Sequence, residues 1–226
     1  MTSTVLVIED DPAVRLALAG LFEAAGMPFT AYESAERFLG EADSHERGCV
    51  LMDIRLPSMS GTDLQTALAR RGFQLPIIFL TAHGDVPTSV KALRAGAFDF
   101  LEKPIDGGVL LDRVRAALEV DARRQQADEA NRKLQAKLAR LTARERDVLK
   151  LVVRGYSNKE AARALQISHR TVEVYRGRVM QKLQMTTLLQ LVAFAEACDL
   201  TTLHTPSAFV DVPDASGLAM VSPAPA

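Results

Sequence analysis

Residues 4–32, TVLVIEDDPAVRLALAGLFEAAGMPFTAY, decide the architecture of the first half of the chain. Thr4 to Ile8 is an uninterrupted apolar run of strand length, rich in β-branched residues, and it predicts a strand buried on both faces. From Pro12 to Ala25 the period changes. Val14, Leu18, Leu21 and Phe22 recur at helical spacing, and Pro12 sits in the first turn, where its missing N–H costs nothing. Gly26 stops that helix, and Phe29 to Tyr32 forms a second short apolar run. Strand, crossover helix and strand make one β/α unit.

The same beat recurs along the chain. A helix is expected from Ser34, then a strand at Cys49 to Met52 with a helix from Thr62. Ile77 to Leu80 precedes a helix from Pro87, and Phe98 to Leu101 precedes a helix from Asp106 to Leu118. Five β/α units over residues 1–118 predict an α/β domain with a doubly wound five-stranded sheet, parallel throughout because each crossover returns right-handed. Residues 119–140 lack Gly and Pro and predict a helical linker. Its apolar stripe, Ala127, Ala130, Leu134 and Leu138 continuing to Leu141, suits either a lightly docked spacer or a contributor to dimerisation. From Leu141 the pattern is all-helical and short. Thr142 with Glu145 and Ser157 with Glu160 have capping-box spacing, Ser168 opens a third helix after a Gln166-Ile167 turn, and Thr186 or Thr187 opens a fourth. Residues 141–200 therefore predict an all-α four-helix domain. Residues 201–226, rich in Thr, Pro, Ser and Ala, cannot bury a core and predict a disordered tail.

Composition narrows the function classes. The absence of Trp and the 5% aromatic content argue against an aromatic-lined groove for single-stranded nucleic acid or carbohydrate. Cys49 and Cys198 stand far apart, which disfavours a disulfide scaffold or zinc site. The acidic start, Glu9 to Asp11, does not suit a signal peptide and no apolar run approaches a membrane span, so a cytoplasmic protein without a membrane partner is expected. The formal net charge of −1 conceals a division: residues 1–118 carry 11 basic and 16 acidic groups, whereas residues 142–200 carry 10 and 6. An acidic block followed by a basic block points to two domains with different partners.

The polar residues of the acidic block fall at strand ends: Glu9, Asp10 and Asp11 after the first, Asp53 at the third, Thr81 at the fourth, Lys103 after the fifth. In an open α/β sheet that edge holds the ligand crevice. Clustered carboxylates repel unless a cation intervenes, and an all-oxygen set suits Mg²⁺ or another divalent cation such as Mn²⁺. Beside such an ion Asp53 can act as nucleophile on a phosphoryl group, with Lys103 neutralising its oxygens and Thr81 donating a hydrogen bond. His83 is the one histidine near this set, either a general base or a loop residue above the site.

The runs VLVIEDD, LMDIRLP, FLTAHGD and AGAFDFLEKP resemble the receiver domains of two-component response regulators, which have a flavodoxin-like fold. The resemblance covers residues 1–118. It implies that Asp53 is the phosphoacceptor, that Asp10, with Glu9 as an outer or water-mediated ligand, joins Asp53 and the backbone carbonyl of Arg55 in the metal site, and that Thr81 and Phe100 are the switch residues. Lys103 would contact the phosphate, followed by a cis Lys103-Pro104 bond. Glu9 stands where Asp is usual, and Arg55 and His83 flank the phosphoryl position.

In the basic block, the helices at Ser157–Leu165 and about His169–Leu183 have helix-turn-helix spacing. The second carries Arg170, Arg176, Arg178 and Lys182 against a single acid, Glu173. Arg170, Glu173, Val174 and Gly177 share a face, with Thr171, Arg178 and Lys182 beside it. Glu173 and Val174 can meet base edges while Thr171, Arg178 and Lys182 hold phosphates. The segment LTARERDVLKLVVRGYSNKEAARALQISHRTVEVYRGRVMQKL resembles the LuxR-type helix-turn-helix domain, and the two halves together resemble the FixJ subfamily of NarL/FixJ response regulators. Gly177 lies where some relatives place a basic base-reading side chain.

The resemblance implies a transcription regulator, not an enzyme. A sensor histidine kinase would phosphorylate Asp53, Thr81 and Phe100 would respond, and a surface including Val90, Lys91 and Arg94 would form a homodimer. The dimer would bind two half-sites of double-stranded promoter DNA, with RNA polymerase as a further partner. A phosphorylation-insensitive DNA-binding regulator is the alternative within the class. A Mg²⁺-dependent phosphohydrolase is the alternative outside it, but such an enzyme needs a second Asp two residues after Asp53, where this chain has Arg55.

Overall fold

The computed structural model describes residues 3–43, 45–82, 90 and 92–200. Two compact units divide the chain, Met1–Arg132 and Lys133–Ala226.

In the first unit β1 (Thr4–Ile8), β2 (Phe29–Tyr32), β3 (Gly48–Asp53), β4 (Ile77–Thr81) and β5 (Asp99–Glu102) form one sheet in the order β2-β1-β3-β4-β5. Every pairing is parallel, as the repeated β/α beat requires. Side chains alternate between two cores. Val5, Val7, Cys49, Leu51, Ile78 and Leu80 pack with Leu18 and Phe22 of α1 (Pro12–Ala24) and with Leu110, Val114 and Ala117 of α4 (Gly107–Ala139). Leu6, Ile8, Val50, Met52 and Phe79 pack with Phe38 of α2 (Ala35–Glu41) and with Leu64 and Leu68 of α3 (Gly61–Arg70). Burying each of the Val, Leu, Ile, Met and Phe side chains among them contributes about 1.5 to 3 kcal/mol, so the sheet is held from both sides. Asp11, Ser34 and Ser60 cap the first three helices through side-chain oxygens that accept backbone N–H groups. The helix expected from Pro87 lies largely outside the described residues, of which Val90 and residues 92–94 are helical.

The helix from Asp106 and the linker are one element, because nothing after Gly108 interrupts 31 further helical residues of α4, Gly107–Ala139. Its buried stripe is Leu110, Val114, Ala117 and Asp121, at spacings of four, three and four. An acid thus occupies an apolar face. Asp121 Oδ2 accepts the Gly48 N–H at 2.9 Å and the Gln125 side-chain amide at 2.6 Å, so the buried carboxylate is satisfied. Gly48 has a φ of +132°, a conformation closed to L side chains. A Cβ built there would lie 1.9 Å from the Thr4 carbonyl oxygen. Burial and the nearby Asp121 push the Cys49 thiol up to about 12, which keeps it protonated and unreactive.

The second unit contains α5 (Ala143–Val153), α6 (Asn158–Leu165), α7 (His169–Leu183) and α8 (Leu188–Ala197). Val148, Leu149, Val152, Ala161, Val172, Val179, Leu183, Leu191 and Phe194 make its core, against which Leu134 and Leu138 pack. Both expected capping boxes form, and Thr187 caps α8 in a third with Gln190. Between α6 and α7 the chain turns at Gln166 in the left-handed region, φ 54°, and the Ile167 N–H closes the turn on the Ala162 carbonyl at 3.0 Å. Ser168 then caps α7. The expected tail, residues 201–226, lies outside the described residues.

Candidate functional site

The switch in strand order falls between β1 and β3, and their carboxyl ends carry Glu9 and Asp53. Both are buried. Lys103, just past β5, spans them: its Nζ donates to Asp53 Oδ2 at 2.6 Å and to Glu9 Oε2 at 2.8 Å. The other Asp53 oxygen, Oδ1, accepts the Arg55 N–H at 2.7 Å. Burial pushes the Glu9 carboxyl above its ordinary value, with Asp53 adding to the rise and Lys103 opposing it. Burial also works against charge on Lys103, but the two carboxylates outweigh it and hold the ammonium above its usual range.

Thr81 is buried at the end of β4, one residue past the level of Asp53, which pairs with Leu80. Its carbonyl accepts the Lys103 N–H at 2.6 Å, tying the ends of β4 and β5, and the Lys103-Pro104 bond is cis. Phe100 is half-buried opposite Phe79, ring centroids 6.3 Å apart. The structure thus gathers Glu9, Asp53 and Lys103 and sets Thr81 and Phe100 on the neighbouring strands. The Asp10 side chain is exposed, while its carbonyl and that of Glu9 accept Arg15 Nη1; Asp11 is spent as a helix cap. Glu9, expected as the outer carboxylate, is the inward one. Among the described residues no three His, Cys, Asp or Glu side chains assemble as a metal group. Even so, two buried carboxylates against one ammonium leave a negative crevice of hard oxygen donors, which fits a divalent cation completed by water. His83 and Lys91 lie outside the described residues; Val90 and Arg94 are exposed.

On α7, Val172, Val179 and Leu183 face the core, leaving Arg170, Glu173, Val174, Gly177 and Arg178 on an exposed face. Val174 is 41% exposed amid charge, and a Cβ at Gly177 would meet nothing within 4 Å. Arg170 donates to Glu173 at 3.4 Å, a pair of small energetic weight at the surface. Thr171 is half-buried, its hydroxyl 2.7 Å from Ser168 Oγ. Two of the expected DNA contacts are engaged inside the unit. Arg176 donates to Asn158 Oδ1 at 3.3 Å, joining α7 to α6, and Lys182 donates to the buried Glu145 at 2.7 Å.

The two units match two family models. Residues 5–115 match the response regulator receiver domain, and residues 139–195 match the luxR family of bacterial regulatory proteins. The chain is 44% identical over 189 residues to the transcriptional regulatory protein FixJ of Azorhizobium caulinodans, covering 84% of this chain and 90% of that one. The chain belongs to the NarL/FixJ class of response regulators. Nodulation protein W of Bradyrhizobium diazoefficiens is 40% identical over 201 residues, 89% of this regulator and 88% of its relative. The solved structure of the response regulator StyR superposes with a TM-score of 0.81 at 40% identity, covering 87% of this chain and 99% of that one. As a member of this class the regulator is a transcription regulator of a two-component system, not an enzyme, with a histidine kinase and DNA as its classes of partner. Receiver domains generally bind Mg²⁺ at the phosphorylation site. Among the described residues no helix is long and apolar enough to cross a membrane.

Several residues that shape both units escape a motif-based view. Gly61 N donates to the Ile54 carbonyl at 2.9 Å, and a Cβ there would lie 2.7 Å from the Asp53 carbonyl oxygen, so the start of α3 presses directly on the Asp53 strand end. Glu145 is visible in sequence as a capping-box acid, but its second role as the buried partner of Lys182 is not. Burial pushes its carboxyl up, yet the Lys182 and Thr142 hydrogen bonds prevail and hold it below its ordinary 4.5. A folded-state pKa below the unfolded one contributes stability above the unfolded value, and that contribution is lost as pH falls through the folded value. We expect the second unit to weaken below about pH 4.5. Protection factors at the Val172 and Val179 amides should fall there in the wild type and show a flatter acid response in Glu145→Gln; equal acid profiles would remove the Glu145–Lys182 pair as the cause.

Proposed function

We propose that the chain is a phosphorylation-switched activator or repressor of transcription whose phosphoacceptor is Asp53. The observation that carries this is the Lys103 ammonium spanning Asp53 and Glu9 at the switch point of the sheet. An ammonium in that place neutralises charge on a transferring phosphoryl group. An Asp53 oxygen forms the new bond to phosphorus as the P–N bond to the kinase histidine breaks, and the imidazole leaves with the electron pair. Mg²⁺, or Mn²⁺, held by Glu9, Asp10, Asp53 and the Arg55 carbonyl, supplies charge neutralisation when bound. Asp10 is the ligand that must turn inward, its side chain being exposed.

Thr81 donates a hydrogen bond from its hydroxyl to the phosphoryl group, and Phe100 follows into the space released beside Phe79. The altered surface, with Val90, Lys91 and Arg94, pairs two copies. Residues 1–118 act as the phosphoacceptor domain, 119–140 as the linker, 141–200 as the DNA-binding domain and 201–226 as a tail. Paired domains lay α7 into successive major grooves of promoter DNA in the cytoplasm, with RNA polymerase as the downstream partner. Glu173 and Val174 meet base edges, Arg170 borders them, Arg176 contributes to the DNA face while bonded to Asn158, and Thr171, Arg178 and Lys182 hold phosphates, Lys182 while remaining paired with Glu145.

Acetyl phosphate with Mg²⁺, followed by sizing and DNA binding, tests the switch: the dimer fraction and DNA affinity should rise together, and no change in either would overturn it. Arg178→Ala should lower the slope of log affinity against log salt by about 1 per half-site, through one fewer released counterion. An unchanged slope would remove Arg178 from the phosphate contacts.

A further inference from the structure

The turn between β1 and α1 is tied down from both sides. The Glu9 N–H donates to the Tyr32 carbonyl at 3.1 Å, and the Glu9 carboxylate accepts from Lys103 at 2.8 Å. Asp11 Oδ1 accepts the Ala13 and Val14 N–H groups, and the Asp11 carbonyl accepts the Arg15 N–H at 2.9 Å. The half-buried Arg15 side chain then folds back over the same turn. Its Nη1 donates to the Glu9 carbonyl at 2.7 Å and to the Asp10 carbonyl at 3.1 Å. That nitrogen carries two N–H groups, one for each oxygen. The Asp10 side chain is exposed and outside this net. Of the carboxylates expected to hold a cation, it is the one that has to turn inward.

We propose that Arg15 is a positioning residue for the cation site: by clamping two carbonyls it fixes the backbone of the turn, so that Asp10 reaches a divalent cation by rotation of its side chain alone. The inference rests on the reading of Asp10 as a metal ligand. Two features of the geometry support the clamp. A group whose backbone is already fixed loses less conformational freedom on binding, which is how preorganised sites gain affinity. The Glu9 and Asp10 carbonyls, engaged by a guanidinium, are also withdrawn as ligands, which agrees with a proposed set that draws its backbone oxygen from Arg55. The charge of Arg15 acts the other way, because a guanidinium beside the turn repels a second cation. The sign of the effect on metal affinity therefore separates a clamp from a bystander charge. Groups that orient a metal ligand are worth about 10- to 100-fold in metal affinity, so the clamp is expected to prevail.

The test needs no phosphorylation. Mg²⁺ is titrated into the unphosphorylated full chain as wild type, Arg15→Met, Arg15→Lys and Asp10→Asn, and binding is followed by calorimetry. Arg15→Met keeps the aliphatic stem but removes the donors and the charge, and it should bind Mg²⁺ about tenfold more weakly. Arg15→Lys, which keeps the charge and can still donate, should recover part of that loss. Without Mg²⁺, NMR order parameters of the Glu9, Asp10 and Asp11 amides should fall in Arg15→Met. Uptake of phosphate from acetyl phosphate should need more Mg²⁺ in Arg15→Met and return to the wild-type rate once Mg²⁺ is saturating, because Arg15 acts on the ion's binding and not on the transfer. Unchanged or tighter Mg²⁺ binding in Arg15→Met would overturn the proposal, as would order parameters equal to those of the wild type or a slow rate that excess Mg²⁺ does not restore. Equal Mg²⁺ affinity in the wild type and Asp10→Asn is a different failure: it removes Asp10 as a ligand, and the role of Arg15 towards the ion falls with it, even where the metal-free order parameters show that Arg15 holds the turn.

Discussion

Asp53→Asn is expected to take up no phosphoryl group from acetyl phosphate and to hold the dimer fraction and DNA affinity at the untreated wild-type level. The amide is isosteric with the carboxylate. Its oxygen can still accept from Lys103 or from the Arg55 N–H, the two groups that fix Asp53 at 2.6 and 2.7 Å. It is no nucleophile, however, and its neutrality leaves Lys103 facing Glu9 alone. The fold should survive while the chemistry is abolished. Carrying the receiver from mostly off to mostly on takes about 3 to 5 kcal/mol of differential stabilisation, and in the proposed switch all of it would come from the phosphoryl group. Loss is therefore all-or-none, read by phosphate-affinity electrophoresis and by DNA titration. A variant that still gains DNA affinity with acetyl phosphate would place the acceptor elsewhere.

Gly48→Ala should be the most damaging single methyl group in the first unit. Gly48 begins β3 in register with Thr4, at a φ of +132°, and the added Cβ would lie 1.9 Å from the Thr4 carbonyl oxygen and 2.7 Å from its nitrogen. These are backbone atoms of a paired strand, so relief requires the start of β1 or β3 to move. Movement there also pulls the Gly48 N–H from Asp121, leaving a buried carboxylate short of a donor on α4. Backbone strain and a broken buried hydrogen bond together cost about 4 kcal/mol or more, a large part of a typical domain's stability. Urea unfolding of the full chain should lose its receiver transition or shift it far down. A shift below about 1 kcal/mol would mean the strand entry yields freely.

Much of this was legible in the order of residues because β/α alternation and capping are local. The switch point follows from strand ends, so Glu9, Asp53, Thr81 and Lys103 could be placed from spacing alone, and the helix-turn-helix followed from three cap residues and a Gln166-Ile167 turn. What escaped depends on contacts distant in sequence. Glu9 and Asp10 are adjacent, and only packing decides that Glu9 turns in to meet a lysine 94 residues away. Lys182 reads as a phosphate contact until its partner Glu145, 37 residues back, is seen. Asp121 was within reach: extending the buried stripe Leu110, Val114, Ala117 by one helical step lands on it, and an acid there calls for a backbone donor.

The bare position on α7 has a practical side. A side chain at residue 177 would meet nothing within 4 Å, so glycine there is not demanded by packing and, in mid-helix, is destabilising by roughly 1 kcal/mol relative to alanine. Position 177 can therefore be rewritten without repacking the core. Arg, Asn or Gln at residue 177 should fold as stably as Gly177 or better, as thermal melts would show. Each would add one base-reading group to a face that otherwise offers a carboxylate and a methyl pair, turning a single codon into a dial for operator choice.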